Sequence, residues 1–115
     1  MPEKTIFEKI RDKEIKSEIV FEDDVAIAFK DVNPQAPVHI LVIPRQRLAG
    51  FPELKSADPT FVGAFIARVA RVAGELGLEK DGYRIVFNSG KNGQQSVDYL
   101  HAHIIGGRQM GWPPG

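Results

Sequence analysis

The chain has 115 residues, with 15 Lys+Arg against 15 Asp+Glu, 3 His and no Cys. That length fits one domain over residues 1–115, and 43% hydrophobic residues can build one core without staples. A formal charge of +0 with no basic block argues against a non-specific nucleic-acid binder, and the lack of Cys removes disulfides, zinc–thiolate sites, iron–sulfur clusters and thiol catalysis.

Residues 1–4 are polar, with no apolar run behind them, so no signal peptide is expected and this start is expected to be disordered. No stretch approaches the roughly 18 apolar residues of a membrane span, and the expected location is the cytoplasm. Over residues 5–16, Ile6, Phe7, Ile10 and Ile15 recur at helical spacing, which predicts a short amphipathic helix with Thr5 as N-cap. Ile19 to Phe21 reads as a strand closed by the acidic turn Glu22-Asp23-Asp24. Val25 to Phe29 alternates large and small side chains and reads as a second strand. Asp31 to Pro37 is turn chemistry. Val38 to Ile43 is a third strand, ended by Pro44. Residues 45–57 form a loop with room for one helical turn. Asp58-Pro59 then caps the strongest helix, with a stripe of Phe61, Phe65, Val69, Val72 and Leu76. Arg68, Arg71 and Glu75 fall on its solvated side, and Gly77 stops it. Tyr83 to Phe87 is a fourth strand, Asn88 to Gln95 a polar loop, and 97–105 a fifth strand. Residues 108–115 are a tail. The order gives an α+β domain whose first three strands, joined by short turns, pair antiparallel.

The three histidines are His39, His101 and His103. On a strand, Tyr99, His101, His103 and Ile105 share one face, which sets the two imidazoles about 6.6–7 Å apart along the chain. The loop before them is rich in amide, hydroxyl and glycine N–H donors. Two imidazoles beside such a loop suit phosphoryl chemistry, one attacking phosphorus and the other donating a proton or hydrogen bond. A His-x-His pair alone is a weak signal, and a structural pair is the competing reading. Three histidines also permit a zinc site, although Asp98, the nearest carboxylate, falls on the opposite face.

The run Gln95-Ser96-Val97-Asp98-Tyr99-Leu100-His101-Ala102-His103-Ile104-Ile105-Gly106-Gly107-Arg108 resembles the signature of the histidine-triad (HIT) superfamily. Thr5-Ile6-Phe7, Phe21-Glu22-Asp23-Asp24, the stretch from Asp31 through His39 to Pro44, and the ending through Trp112-Pro113-Pro114 are similar to its Hint branch, the histidine-triad nucleotide-binding proteins or purine nucleoside phosphoramidases. The resemblance implies a five-stranded antiparallel sheet with one long and one short helix, the sheet continued across a homodimer. It implies hydrolysis of nucleoside 5′-phosphoramidates such as AMP joined through nitrogen to an amine or lysine. His101 matches the nucleophile and His103 the phosphate-contacting histidine. Ser96, Gln95 and Asn88 match residues around the phosphate and leaving group, and His39 a supporting histidine. Asp31 matches the ribose-binding carboxylate. Ile6, Phe7, Ile10, Ile15, Phe29 and Val32 match the apolar purine cleft. Trp112 belongs to a tail expected to reach a partner subunit's site. The implied ligands are purine nucleotides, with no cofactor, metal, specific nucleic acid or membrane. The first triad position departs from the pattern, being Tyr99. That departure favours the competing reading, a nucleotide-binding regulatory or scaffold protein with little turnover.

Overall fold

The computed structural model describes residues 3–115. The expected disorder at residues 1–4 therefore lies partly outside the described residues. Lys4, within them, pairs with Asp12 at 2.9 Å and also with Glu14. The elements are α1 (Ile6–Arg11), β1 (Ile19–Glu22), β2 (Ala26–Lys30), β3 (Val38–Pro44), a 3₁₀ turn (Phe51–Lys55), α2 (Pro59–Glu75), β4 (Tyr83–Val86) and β5 (Ala102–Gly106). The strands form one sheet in the order β1-β2-β3-β5-β4, with every pairing antiparallel. No helix among the described residues is long and apolar enough to cross a membrane.

Strand alternation divides the core between the two faces of the sheet. Ala26, Ala28, Ile40, Val42, Ala102 and Ile104 pack against Phe65, Val69, Val72 and Ala73 of α2. The intervening Ile27, Phe29, Leu41 and Ile43 pack with Phe7 and Ile10 of α1 and with Tyr99. Thus α2 covers one face, and the short α1 covers part of the other.

The helix ends follow the capping chemistry read from the sequence. Thr5 accepts from the Glu8 N–H at 3.2 Å, while the Glu8 carboxylate accepts from the Thr5 N–H at 2.9 Å. Asp58 accepts from the Thr60 N–H, Pro59 opens α2, and Gly77 takes a left-handed φ of 76° just past its end. α1 is the short helix of about two turns expected within residues 5–16: it stops at Arg11, and Lys13 turns the chain at φ 63°. The charges on α2 are not all solvated, because Arg68 pairs with Asp23 and Arg71 lies 5.1 Å over the Phe21 ring.

One strand differs from expectation. The fifth strand begins at Ala102 rather than 97. It pairs with β3 from Val38↔Gly106 to Val42↔Ala102, and continuing that register would bring Leu100 opposite Pro44. Proline has no N–H for a ladder. The Leu100 N–H instead donates to the Leu48 carbonyl at 2.6 Å, and residues 97–101 cross the sheet end as irregular chain.

The capping box is the main local device that closes α1. Replacing Thr5 by Ala is expected to lower unfolding stability by about 1 kcal/mol. Denaturant titration should show a reduced midpoint at unchanged slope. An unaltered midpoint would contradict this role.

Candidate active site

The β3–β5 register sets Leu41 opposite His103 and His39 opposite Ile105. His39 and His103 are therefore diagonal neighbours on the face that carries α1, within reach of each other's rings. His39 Nδ1 accepts the Gln35 N–H at 3.0 Å, so the His39 proton sits on Nε2. That Nε2 lies 2.8 Å from His103 Nδ1 and 3.4 Å from an Asp31 carboxylate oxygen. His39 thus donates to His103 Nδ1, which leaves the His103 proton on Nε2. Asp31 is held in turn, its other oxygen accepting the Asn33 N–H at 2.8 Å.

His101 is fixed differently. Its Nδ1–H donates to the Tyr99 carbonyl at 2.6 Å, so its Nε2 carries the free lone pair. The ring is buried, with Phe7 edge-on at 4.8 Å and His103 at 5.0 Å between centroids. One side of the site therefore presents a nucleophilic nitrogen, and its neighbour presents an N–H donor.

These groups open into a cleft of about 250 Å³. Its apolar wall is Ile6, Phe7, Ile10, Ile15, Phe29 and Val32, and Asp31, Ser96, His101 and His103 lie in the same lining. Ile15 reaches the cleft although it lies outside α1. Of the residues named from the sequence, His39 stands behind His103 outside this lining, and three others lie elsewhere. Asn88 donates to the Gly93 carbonyl at 2.7 Å, closing the polar loop on itself. The Gln95 amide donates to the Ala49 and Val97 carbonyls, and its oxygen accepts the Gly90 N–H. Trp112 is 82% exposed, beside Arg84 at 5.8 Å. The lining also includes Lys16, Ser17, Lys30, Leu41 and Val97, to which the sequence reading gave no site role, although Leu41 and Val97 lie within the matching segments. Their position one or two residues from Ile15, Phe29, Asp31 and Ser96 pointed to Lys16, Ser17, Lys30 and Val97.

Tyr99 does not touch the other rings of the triad through its hydroxyl. The buried phenol donates to the Pro44 carbonyl, with the Arg45 carbonyl at 3.2 Å.

The HIT domain family model matches residues 12–110. The chain belongs to this family. It is 50% identical over 113 residues to adenylylsulfatase HINT1 of Arabidopsis thaliana, covering 96% of this chain and 76% of that one. It is 49% identical over 113 residues to a 14 kDa zinc-binding protein of Zea mays, covering 96% and 88%. A crystal structure of a HIT family hydrolase from Legionella pneumophila superposes with a TM-score of 0.92 at 41% identity, over 97% of this chain and 100% of that one.

The zinc-binding relative makes the donor set of the HIT site worth testing for metal. Ligand atoms of Asp31, His39 and His103 lie within 4.8 Å of one another. Two nitrogens bound tetrahedrally to one zinc at about 2.0–2.1 Å would stand about 3.3 Å apart. The facing His39 and His103 nitrogens are 2.8 Å apart and share a proton. In this arrangement the pair is spaced for a hydrogen bond, not for a common ion.

Burial pushes the His101 imidazole below its ordinary value. Burial, helped by the neighbouring His101 and His39, pushes His103 down to about 4. The native state keeps His103 neutral where an unfolded histidine, with a pKa of about 6.5, takes a proton. Between those values the unfolded chain binds more protons. The stabilisation is complete above about pH 6.5 and is lost as the pH falls towards 4. NMR titration of the His103 ring should give a midpoint near 4. A midpoint at or above the ordinary histidine value would contradict the assignment.

Proposed function

We propose that this chain is a nucleotide-binding hydrolase that cleaves the P–N bond of purine nucleoside 5′-phosphoramidates, of the AMP–amine or AMP–lysine type. The observation that carries the reading is the His101 ring, whose Nδ1–H is committed to the Tyr99 carbonyl, leaving the Nε2 lone pair free on a ring that lines the cleft. The apolar wall takes the purine. The Asp31 carboxylate accepts from the ribose hydroxyls. His103 Nε2–H donates to a phosphoryl oxygen, and Ser96 lies beside the leaving group.

The reaction proceeds in two displacements. His101 Nε2 attacks the α-phosphorus, the P–N bond to the amine breaks, and the amine departs with a proton from a cleft donor. The nucleotidyl-imidazolium keeps its Nδ1–H on the Tyr99 carbonyl. Water then attacks phosphorus, the His101–phosphorus bond breaks, and the nucleoside monophosphate leaves while the water proton restores the donor. The reading is supported by the family membership and by the HIT family hydrolase whose structure superposes. The relative named as an adenylylsulfatase makes adenylyl sulfate a natural second substrate to try, since the same attack on an adenylyl phosphorus would cleave it.

The active protein is proposed to be a homodimer. β4 is an edge strand, and edges invite pairing with another chain. Trp112 stands exposed near that edge, where Arg84 donates to the Gly111 carbonyl. In the dimer this tail reaches the partner's cleft and shapes leaving-group preference. Sedimentation at micromolar concentration should show a dimer. Deletion of residues 109–115 should change the ranking of leaving amines, and an unchanged ranking would count against the tail.

The test of the reaction is a panel of adenosine and guanosine phosphoramidates, with adenylyl sulfate and phosphodiester controls. Mass spectrometry of rapidly quenched protein should find a nucleotidyl group on His101. His101→Ala should lose more than about a thousandfold in turnover while nucleotide binding persists. A variant keeping a tenth of the activity would remove His101 as nucleophile. Trapped nucleotide without turnover would favour a binding or scaffold protein.

A further inference from the structure

The segment that carries the nucleophile lies outside the sheet ladder, so something other than strand pairing must hold it. Its backbone anchors are few: Leu100 N–H on the Leu48 carbonyl, Arg47 donating to the Asp98 carbonyl at 2.7 Å, and the Gln95 amide donating to the Val97 carbonyl at 3.1 Å. The Leu100 bond holds the N–H side of the planar peptide unit whose other side is the Tyr99 carbonyl, the acceptor for His101 Nδ1–H, and leaves the Tyr99 side chain to hold the residue-99 end. The Tyr99 N–H turns back onto the Val97 carbonyl at 2.8 Å, a bond within the segment itself. Among the described residues, the side-chain hydrogen bonds from residue 99 to another element are those of the phenol, which donates to the carbonyls at the end of β3. A second donor converges there, because Arg11 of α1 reaches the Arg45 carbonyl at 3.1 Å. The Tyr99 ring is fully buried, with Phe7 edge-on at 6.3 Å.

We propose that Tyr99 is a positioning residue for the nucleophile: its phenol pins the 97–101 segment to the end of β3, and its carbonyl thereby fixes the tautomer and the aim of His101. The proposal rests on the reading of His101 as nucleophile. It gives the departure from the triad a positive role. A histidine at this position would have to serve through a shorter side chain, whereas the phenol spans to the β3 carbonyls. The groups facing the Tyr99 hydroxyl are Arg11 and Glu8 of α1 and Asp12 just past its end, and burial keeps the phenol protonated as a donor. If the carbonyl of residue 99 drifts, Nδ1–H loses its acceptor. The imidazole proton then distributes over both nitrogens, and the fraction with a free Nε2 lone pair falls.

The test is Tyr99→Phe in the full chain, which keeps the ring and removes the hydroxyl. Tyr99→Met serves if the phenylalanine variant does not fold. The first readout is the nitrogen-15 spectrum of the His101 ring in the absence of nucleotide. Wild type should show one tautomer with the proton on Nδ1, and the variant a mixture. The second readout is turnover of an adenosine phosphoramidate. kcat should fall about tenfold with KM within about twofold, because misaim of a nucleophile weakens the transition state more than binding. An unchanged tautomer, or an unchanged kcat, overturns the inference. The two ideas fail separately. If wild type turns over no substrate in the panel, the proposed reaction falls, while the tautomer measurement still decides the role of Tyr99.

Discussion

The site depends on one register. β3 and β5 pair so that His39 and His103 fall diagonally on the face away from α2. A slip of β5 by one residue would turn the His103 ring into the packed layer between sheet and helix, where Ala102 and Ile104 now sit, and away from His39. The register is held because the slipped choice would bring Ala102 and Ile104 out to the thinly covered face. The apolar pattern that builds the core therefore also aims the chemistry, and no separate device is needed to bring residues 39 and 103 together.

Within that frame, two backbone groups decide where the imidazole protons lie. The Gln35 N–H claims His39 Nδ1, and through His39 it commits His103. The Tyr99 carbonyl claims His101 Nδ1–H. One chain of bonds ends in a donor and the other in an acceptor, on rings whose centroids are 5.0 Å apart. Burial keeps both rings of the pair in their neutral forms over a wide pH range, so these tautomers are the states that meet a ligand.

Much of this was legible in the sequence where local rules act alone. The caps at Thr5 and Asp58, the stop at Gly77 and the alternation along β2 and β3 are short-range physics, and they read correctly. The segment 97–105 misled, because alternation continues through residues 97–101 while pairing does not. The cause lies at Pro44, far away in sequence, whose missing N–H ends the ladder. Amide side chains misled in a different way. Asn88 and Gln95 carry donors suited to a phosphate, yet the backbone carbonyls of Gly93, Ala49 and Val97 claim them first. Sequence shows what a side chain can bond, but not which acceptor it meets. The same limit hid the partners of Tyr99, which lie 55 and 54 residues away along the chain.

The cleft has walls of unequal strength. One side is sheet, with each strand locked by its neighbours. The other is α1, six residues long, closed by a capping box and tied at its far end by Arg11. A helix of that length has little stability of its own and relies on Phe7 and Ile10 as its hold on the core. It can lift away in a local opening that leaves the sheet folded. On the proposed reading, entry of a purine would amount to completing an unfinished small core: the base would supply the apolar neighbour that Ile6 lacks, and the segment least able to fold by itself would gain the most order from occupancy.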